Sequence, residues 1–249
     1  EGTRAPAAAM EALEHARRLQ PDLRQLAAVA LVQGGLRELA VPYDGTAIYV
    51  RPDIKNISTY VLLEQGDWFE EDIELFRQLI RPGSRVLDLG ANVGVYSLSA
   101  AQRAGPEGRV VSVEPAAGTF ALLSKSAKLH PMMRVRHAAV SDKRGRGRLE
   151  PNRAPELNRL QAAPAPVSPP AAGREQGEGG EEVDIIPVDE LAAEEGVQSF
   201  DVIKMDVEGH EIPLLRGAEK IIGRGDPIVF YEVKEAADMH LELVEEFKT

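Results

Sequence analysis

Residues 85–115 constrain the fold of this chain more than any other stretch. They contain a short apolar run, Val86 to Leu89, then two closely spaced glycines, Gly90 and Gly94, then a segment with helical spacing and a second apolar run with three valines. Apolar runs rich in β-branched residues are typical of strands buried on both faces of a parallel sheet. The stretch therefore predicts a β-strand, an α-helix and a second β-strand parallel to the first.

The two glycines lie between the first strand and the helix, where they suit a ligand site. Glycine at this point lets the backbone turn tightly and approach a ligand, and the N–H groups of the first helical turn face the strand end. Glu114 stands at the carboxyl end of the second strand. An acidic residue about twenty residues after the glycines accepts hydrogen bonds from the ribose hydroxyls of an adenosine moiety.

The loop sequence Gly-Ala-Asn-Val-Gly distinguishes between adenosine-containing ligands. It lacks the Gly-Lys-Ser/Thr of a P-loop, and Asn92 stands where a G-x-G-x-x-G motif has glycine. No Lys or Arg occurs between Arg85 and Arg103, and Asp88 precedes the turn. Because a carboxylate repels a pyrophosphate and attracts ammonium and sulfonium groups, the pattern points to S-adenosylmethionine. A βαβ unit that binds no ligand is the alternative.

Length, charge and composition limit the class of protein. A chain of 249 residues can bury one α/β core and an appendage. The net charge of −11 gives no basic field for nucleic acid or an anionic membrane, so we expect a small-molecule or sugar acceptor. The absence of cysteine excludes disulfides and agrees with a cytoplasmic location. There is neither an apolar run of membrane-spanning length nor a signal pattern.

Three regions are predicted along the chain. Residues 1–35 form a helical segment that resembles the end of a tetratricopeptide repeat and would dock a protein partner, although an ordinary amphipathic helical pair explains the same pattern. Residues 36–66 form a small lid with a hairpin at Asp44-Gly45. Residues 67–249 form the main domain, with an exposed insertion at about 151–182 that is either an active-site flap or a solvated loop.

Within the main domain, apolar spacing predicts a helix over residues 68–80, another from Pro115 to about Leu129, and a third strand over residues 133–140. Residues 59–63 predict a further strand or a helical turn. Ser141 and Asp142 follow the third strand. Asp142 either accepts from an adenine amino group or belongs to a simple turn.

A second concentration of polar residues begins where the run Val202 to Met205 ends. Asp206, Glu208, His210 and Glu211 follow that strand directly, as the sequence shows. In an open α/β sheet, ligands bind outside the carboxyl ends of the strands, so these side chains should face the glycine loop. Ionisable groups that crowd together in a cleft shift each other's pKa values, which makes a base available near neutral pH. The helix dipole alone would account for Glu211 but not for Asp206.

Three motifs in this order resemble the FkbM-type family of S-adenosylmethionine-dependent methyltransferases, which are mostly O-methyltransferases of sugars and secondary metabolites: Val86–Gly94, Val113-Glu114-Pro115 and Ile203–Glu211. The resemblance covers about residues 60–247. It implies an α/β fold with a doubly wound, mostly parallel sheet of the class I methyltransferase type, here with an N-terminal helical and hairpin appendage. It places the cofactor over the glycine loop, with Glu114 on the ribose and residues 204–211 beside the reacting methyl group.

The site prediction combines these observations. Methyl transfer to a hydroxyl benefits from a general base, for which we predict His210, followed by Asp206, with Glu208 beside them and Glu232 orienting the acceptor or the cofactor. The spacing of these residues matches no standard metal site, so no metal is expected. The residues predicted to bind the cofactor are Asp88, Gly90, Ala91, Asn92, Gly94, Glu114, Pro115, Ser141, Asp142 and Asp206.

A rival function is a catalytically silent cofactor-binding or scaffold module that docks a partner through its N-terminal helices. Members of the resembled family continue into a Gly-Tyr pair and a final antiparallel hairpin, whereas this chain begins at Glu1 and stops at Thr249. We therefore expect a fragment that lacks the closing strands. Turnover of a hydroxylated acceptor distinguishes the enzyme from the silent module.

Overall fold

The computed structural model describes residues 38–150, 159–162, 180–207 and 209–231. The predicted helices of residues 1–35, most of the predicted insertion, Glu208 and Glu232 lie outside these ranges. The helices are α1 Ile57–Gln65, α2 Asp72–Leu79, α3 Val95–Ala104, α4 Ala117–Ala127, α5 Val188–Glu194, α6 Glu211–Arg216 and α7 Glu219–Gly225. The strands are β1 Leu39–Tyr43, β2 Thr46–Val50, β3 Arg85–Leu89, β4 Arg109–Glu114, β5 Met133–His137, β6 Ala139–Ser141, β7 Gly145–Glu150, β8 Arg159–Ala162, β9 Glu181–Pro187, β10 Val202–Met205 and β11 Ile228–Tyr231.

The chain divides into two compact units. Among the described residues, the first unit comprises 38–86, 91–112 and 118–135, and therefore includes the β1–β2 hairpin and α1 to α4 apart from the first residue of α4. The second unit comprises 87–90, 113–117 and the described residues from 136 onward. No helix within the described ranges has the length and apolarity needed to cross a membrane.

The central sheet has the strand order β11-β10-β3-β4-β5 in the described part of the chain. β10 and β11 are parallel, with Val202 opposite Ile228 and Met205 opposite Tyr231. The predicted α/β class with a mostly parallel sheet is therefore confirmed. From β3, the chain proceeds to β4 and β5 on one side, whereas β10 and β11 lie on the other side. This reversal makes the carboxyl ends of β3 and β10 the place where an α/β sheet binds ligands.

The apolar runs that predicted the sheet are buried as expected. Val86, Leu87 and Leu89 in β3 have no exposed surface, and the same holds for the three valines of β4. Burial of one such side chain contributes about 1.5–3 kcal/mol relative to leaving it in water. β3 and β4 are consequently packed on both faces, and this packing fixes the positions of the residues at their carboxyl ends.

The prediction of a single third strand over residues 133–140 is wrong. β5 ends at His137, and β6 begins at Ala139 in a different sheet of order β6-β9-β7-β8. β6 is parallel to β9, with Ala139 opposite Ile185, and both residues join a separate apolar cluster. His137 is exposed at the end of β5, where its Nε2 donates to the carbonyl of Pro115 at 2.9 Å. Burial in the second cluster therefore separates β6 from β5.

The predicted exposed insertion at about 151–182 includes a strand in its described part. β8 lies within that segment and is antiparallel to β7, with Gly147 opposite Ala162. β7 occupies residues for which the sequence predicted no element, and it also pairs with β9, Gly145 opposite Ile185. The alternation of glycine and arginine in β7 carries little apolar signal, which is why the strand was missed.

The helix predicted over residues 68–80 is shorter, because side chains hold the residues before it in a turn. Asp67 accepts a hydrogen bond from the Trp68 N–H at 2.8 Å, and the indole N–H of Trp68 donates to Glu70 at 2.7 Å. Phe69, expected on the buried face, is 48% exposed. Ile73 and Phe76 are buried as expected. The segment 59–63 is helical and belongs to α1.

The predicted hairpin is present, with Tyr43 opposite Thr46. Asp44 and Gly45 both have positive φ, 45° and 77°, as a two-residue hairpin turn of type I′ requires. Within the first unit, the Tyr43 hydroxyl lies 2.9 Å from Ser99 Oγ in α3 and accepts from Arg77 in α2 at 3.2 Å. The hairpin is therefore hydrogen-bonded to two helices. The boundaries of the three predicted regions, 1–35, 36–66 and 67–249, stay predictions.

Replacing Tyr43 by phenylalanine should lower the free energy of unfolding by about 1–3 kcal/mol, because the buried groups of Arg77 and Ser99 lose a partner. Burial raises the pKa of Tyr43 well above its ordinary value, so the phenol stays protonated and the effect should not vary between pH 6 and 9. Urea unfolding measures it. Tyr60→Phe, on the exposed side of α1, is the matched control, and equal losses in both variants would contradict the argument.

Candidate functional site

β3 and β10 end side by side in the second unit, and their backbones are in direct contact. The N–H of Asp206 donates to the carbonyl of Leu89 at 3.0 Å, and the N–H of Gly90 donates to the carbonyl of Val113 at 3.0 Å. Gly90 has a φ of +77°, and a Cβ at this position would lie 1.8 Å from the carbonyl oxygen of Asp206. Only glycine fits this path, so the predicted tight turn after β3 is confirmed.

A buried lysine lies between two of the predicted carboxylates. Lys204 Nζ is 3.7 Å from Asp88 Oδ1 and 3.4 Å from Asp206 Oδ2, and it donates to the carbonyl of Gly90 at 3.3 Å. Asp88 is fully buried, whereas one third of the Asp206 side chain is exposed. Two carboxylates and one ammonium leave a formal charge of −1 on this group. Asp206 is its solvent-accessible acid.

This lysine corrects the electrostatic interpretation of the sequence. The neighbouring sequence places no cation beside Asp88, but Lys204 in β10 supplies one in the structure. The signal was available, because lysine is almost never buried without a charged partner and Lys204 stands in an otherwise apolar strand. The group of Asp88, Lys204 and Asp206 still has a net negative charge, because it contains two carboxylates and one ammonium. A contact between Asp88 and the cofactor stays a prediction.

The turn after β4 is held by hydrogen bonds from several directions. Glu114 is 93% buried, and its Oε1 accepts from the N–H of Ala116 at 2.9 Å. Glu181 Oε1 accepts from the N–H of Ala117, the first residue of α4, at 2.9 Å. Pro115 accepts from His137, as described above. The structure thus fixes Glu114 at the carboxyl end of β4, where the sequence predicted an acid for the ribose.

Three predicted residues come together where β6 ends and α6 begins. His210 Nε2 lies 2.9 Å from Ser141 Oγ, and Ser141 Oγ donates to Asp142 Oδ1 at 3.1 Å. Burial lowers the pKa of His210, while the negative charges of Glu211 and Asp142 partly offset that effect. A histidine with a lowered pKa is neutral near pH 7 and can accept a proton. The base predicted from the sequence is therefore in the protonation state that general-base catalysis needs.

Glu211 supports the backbone in front of His210. Its Oε1 accepts from the N–H of Gly209 at 3.0 Å, and its side chain is almost fully buried. Gly209 has a φ of +87°, so the chain turns sharply between β10 and α6. This hydrogen bond accounts for Glu211 as a structural residue, in agreement with its expected favourable place in the first helical turn.

The remaining predicted residues divide between the first unit and the undescribed part of the chain. Ala91 accepts from the N–H of Gly94 at 2.9 Å, and Asn92 and Gly94 both have positive φ, 50° and 103°. These residues form the predicted tight turn before α3. Glu208 and Glu232 lie outside the described residues. Within the described ranges, no group of three or more histidine or acidic residues is arranged to hold a metal ion.

Comparison with known proteins decides the family. Residues 88–248 match the methyltransferase FkbM domain, a range that includes β3's carboxyl end, β4 and the segment around Asp206 and His210. The chain belongs to the FkbM family of methyltransferases. This membership confirms the family inferred from the three motifs, and it agrees with the prediction of S-adenosylmethionine as the cofactor.

Two curated proteins and one solved structure illustrate the relationship. The 31-O-demethyl-FK506 methyltransferase FkbM of Streptomyces tacrolimicus is 29% identical over 166 residues, which are 56% of this chain and 61% of that protein. Ribosomal RNA large subunit methyltransferase E of Sorangium cellulosum (strain So ce56) is 50% identical over 44 residues, 18% of this chain and 21% of that protein. The chain thus spans less than two thirds of either relative. The methyltransferase FkbM structure from Methylobacillus flagellatus KT aligns with 97% of this chain and 52% of its own, at 15% identity and a TM-score of 0.45.

Proposed function

We propose that this FkbM-family chain is an S-adenosylmethionine-dependent O-methyltransferase whose acceptor is a hydroxyl of a small molecule, either a sugar or a secondary metabolite. The observation that carries the proposal is the position of half-buried His210, whose Nε2 lies 2.9 Å from Ser141 Oγ and which follows the partly exposed carboxylate of Asp206 at the carboxyl end of β10. The relative named 31-O-demethyl-FK506 methyltransferase supports an oxygen acceptor. The net charge of −11 argues against a nucleic-acid acceptor.

The chemistry of the strand ends fits the proposed cofactor. The carboxylates of Glu114 and Asp206 accept hydrogen bonds. In the described part of the chain, the cation beside Asp206 is Lys204, which is paired with two carboxylates. Glu114 would hold the ribose hydroxyls and Asp206 the ammonium group, since charge-assisted hydrogen bonds to carboxylates are strong. When bound, S-adenosylmethionine supplies an electrophilic methyl group attached to a positively charged sulfur.

His210 would take the proton of the acceptor hydroxyl as its oxygen attacks. General-base assistance of this kind contributes roughly 10²- to 10⁴-fold in rate. Orientation of the acceptor at near-attack distance is the larger contribution, up to about 7–11 kcal/mol in favourable cases. Glu208 and Glu232 are proposed to orient the acceptor or the cofactor ammonium, and Asp206 is the next choice for the base. Docking of a protein partner through residues 1–35 stays a prediction.

Calorimetric titration with S-adenosylhomocysteine tests the cofactor site. We expect Glu114→Ala to weaken binding by about tenfold or more, because each hydrogen bond to a charged group contributes about 1.5–3 kcal/mol. Glu114→Gln keeps an oxygen for the Ala116 N–H and so separates loss of charge from opening of the turn. Glu107→Ala removes an exposed carboxylate and should bind as the unaltered chain does.

The outcomes separate the parts of the proposal. Equal affinity of the Glu114→Ala variant and the unaltered chain would contradict the ribose assignment, and no binding by the unaltered chain would contradict the cofactor assignment. A screen of hydroxylated sugars and metabolites with labelled S-adenosylmethionine then tests methyl transfer. Cofactor binding without transfer to any acceptor would favour the silent binding module.

A further inference from the structure

The side chains of Asp142, Ser141 and His210 form a continuous hydrogen-bonded chain in the second unit. Ser141 Oγ is 3.1 Å from Asp142 Oδ1 and 2.9 Å from His210 Nε2. Ser141 is buried, whereas His210 is half-buried and Asp142 keeps part of its carboxylate in solvent. The arrangement therefore joins a carboxyl group to an imidazole through a single hydroxyl.

Proton counting fixes the direction of both hydrogen bonds. An ionised carboxylate only accepts, so the one hydroxyl proton of Ser141 goes to Asp142. Ser141 Oγ then has only lone pairs left for His210, and Nε2 must be the donor. A neutral imidazole carries one proton, so Nδ1 of His210 carries none.

We infer that Ser141 and Asp142 are positioning residues that hold His210 in the Nε2–H form and so present Nδ1 as the proton acceptor. Among the residues the structure describes, none makes a hydrogen bond to Nδ1. The catalytic use of Nδ1 rests on the proposed function. The tautomer does not, because it follows from the contacts of the protein alone.

The backbone holds the three side chains at these distances. A Cβ on Gly217, which follows α6, would lie 2.1 Å from the carbonyl oxygen of Ser141, so the end of α6 packs directly on β6. The carbonyl of Gly217 also accepts from the N–H of Asp189 at 2.8 Å. At the other end of α6, the carbonyl of His210 accepts from the N–H of Leu214 at 3.2 Å. Ser141 and His210 consequently sit on two elements whose separation is fixed.

The charges around His210 are consistent with this arrangement. Among the described residues, Glu211 and Asp142 are the carboxylates that act on the imidazole, and both raise the pKa of His210 against the effect of burial. Lys143 Nζ lies 3.8 Å from Asp142 Oδ2 on an exposed side chain, which screens Asp142 only weakly. Asp142 is therefore available to accept the hydrogen bond from the Ser141 hydroxyl.

Nitrogen-15 NMR of the histidine-labelled full chain without ligand tests the inference, with His210→Gln to assign the signals. At a pH above the pKa of His210, Nε2 should be protonated and Nδ1 unprotonated, and the Nε2–H should exchange slowly with water. Ser141→Ala should lose the slow exchange and populate both tautomers, whereas Ser141→Thr keeps the hydroxyl and should restore both signatures. A protonated Nδ1 in the unaltered chain, or no change in Ser141→Ala, would overturn the inference.

Ligand binding and turnover separate this inference from the proposed function. Once an acceptor is found, Ser141→Ala should lower kcat on the order of 10- to 100-fold and have no further effect in a His210→Gln background, since both act through one imidazole. An intact tautomer without any methyl transfer would contradict only the proposed function. Weaker S-adenosylhomocysteine binding by Ser141→Ala with an unchanged tautomer would assign Ser141 to the cofactor and overturn the positioning role.

Discussion

Gly90→Ala is expected to lower the free energy of unfolding by about 2–5 kcal/mol. A left-handed conformation costs an alanine about 1–2 kcal/mol, and overpacking adds about 1–3 kcal/mol. The overlap is severe, because the new Cβ would lie 1.8 Å from the carbonyl oxygen of Asp206. A backbone oxygen has no alternative rotamer, so relief requires β3 and β10 to separate at their carboxyl ends. Urea unfolding measures the loss, and S-adenosylhomocysteine titration of any folded variant should show weakened binding.

Gly196→Ala is the matched control for this experiment. Gly196 also has a positive φ, +66°, but nothing lies within 4 Å of its Cβ position. It should therefore lose only the conformational part, about 1–2 kcal/mol, and leave the binding of S-adenosylhomocysteine unchanged. The difference between the two variants measures the overlap with Asp206. Equal losses would show that the close approach of the two strands has no energetic consequence.

His210→Gln is expected to reduce methyl transfer roughly 10²- to 10⁴-fold while leaving S-adenosylhomocysteine affinity and the free energy of unfolding nearly unchanged. Glutamine retains a donor for Ser141 Oγ but offers no basic nitrogen. The rate at saturating cofactor and acceptor is the measurement. A variant with full rate would remove His210 as the base and make Asp206 the next residue to test.

The pH dependence of the rate follows from the environment of His210. Burial lowers the pKa of its imidazole, so the neutral, proton-accepting form persists below the pH at which an exposed histidine would be protonated. The rate should fall as the pH drops through this lowered pKa, and His210→Gln should lose that acidic limb. His130→Gln is the control, because burial also lowers the pKa of His130, and this variant should keep the limb.

Local patterns made the framework predictable from the sequence. Contiguous apolar runs and closely spaced glycines predict the β3-α3-β4 unit, and Asp44-Gly45 predicts the β1–β2 hairpin. Each of these signals lies within a few residues. The break after His137 gave no such signal, because neither glycine nor proline interrupts residues 133–141. Only pairing with β9, far along the chain, separates the two strands.

The site was predictable as a set of residues but not as a set of contacts. The motifs identified Asp88, Asp206 and His210, since polar residues at strand ends are unusual in an apolar pattern. The ion pair between Lys204 and Asp88 and the hydrogen bond between His210 and Ser141 join segments distant in sequence, and no periodicity reports such pairs. The sequence consequently proposed a base, His210, without indicating which of its nitrogens would accept a proton.

The contact between Gly90 and Asp206 also limits how this site can evolve. The obstacle to a side chain at position 90 is a carbonyl oxygen, which every amino acid at position 206 would carry. No substitution at position 206 can therefore act as a suppressor of Gly90→Ala by removing the obstructing atom. Rescue would have to come from residues that shift the whole end of β10, and these changes would move the candidate base as well. Selection for activity should thus keep glycine at position 90 even where the identity of the acceptor changes.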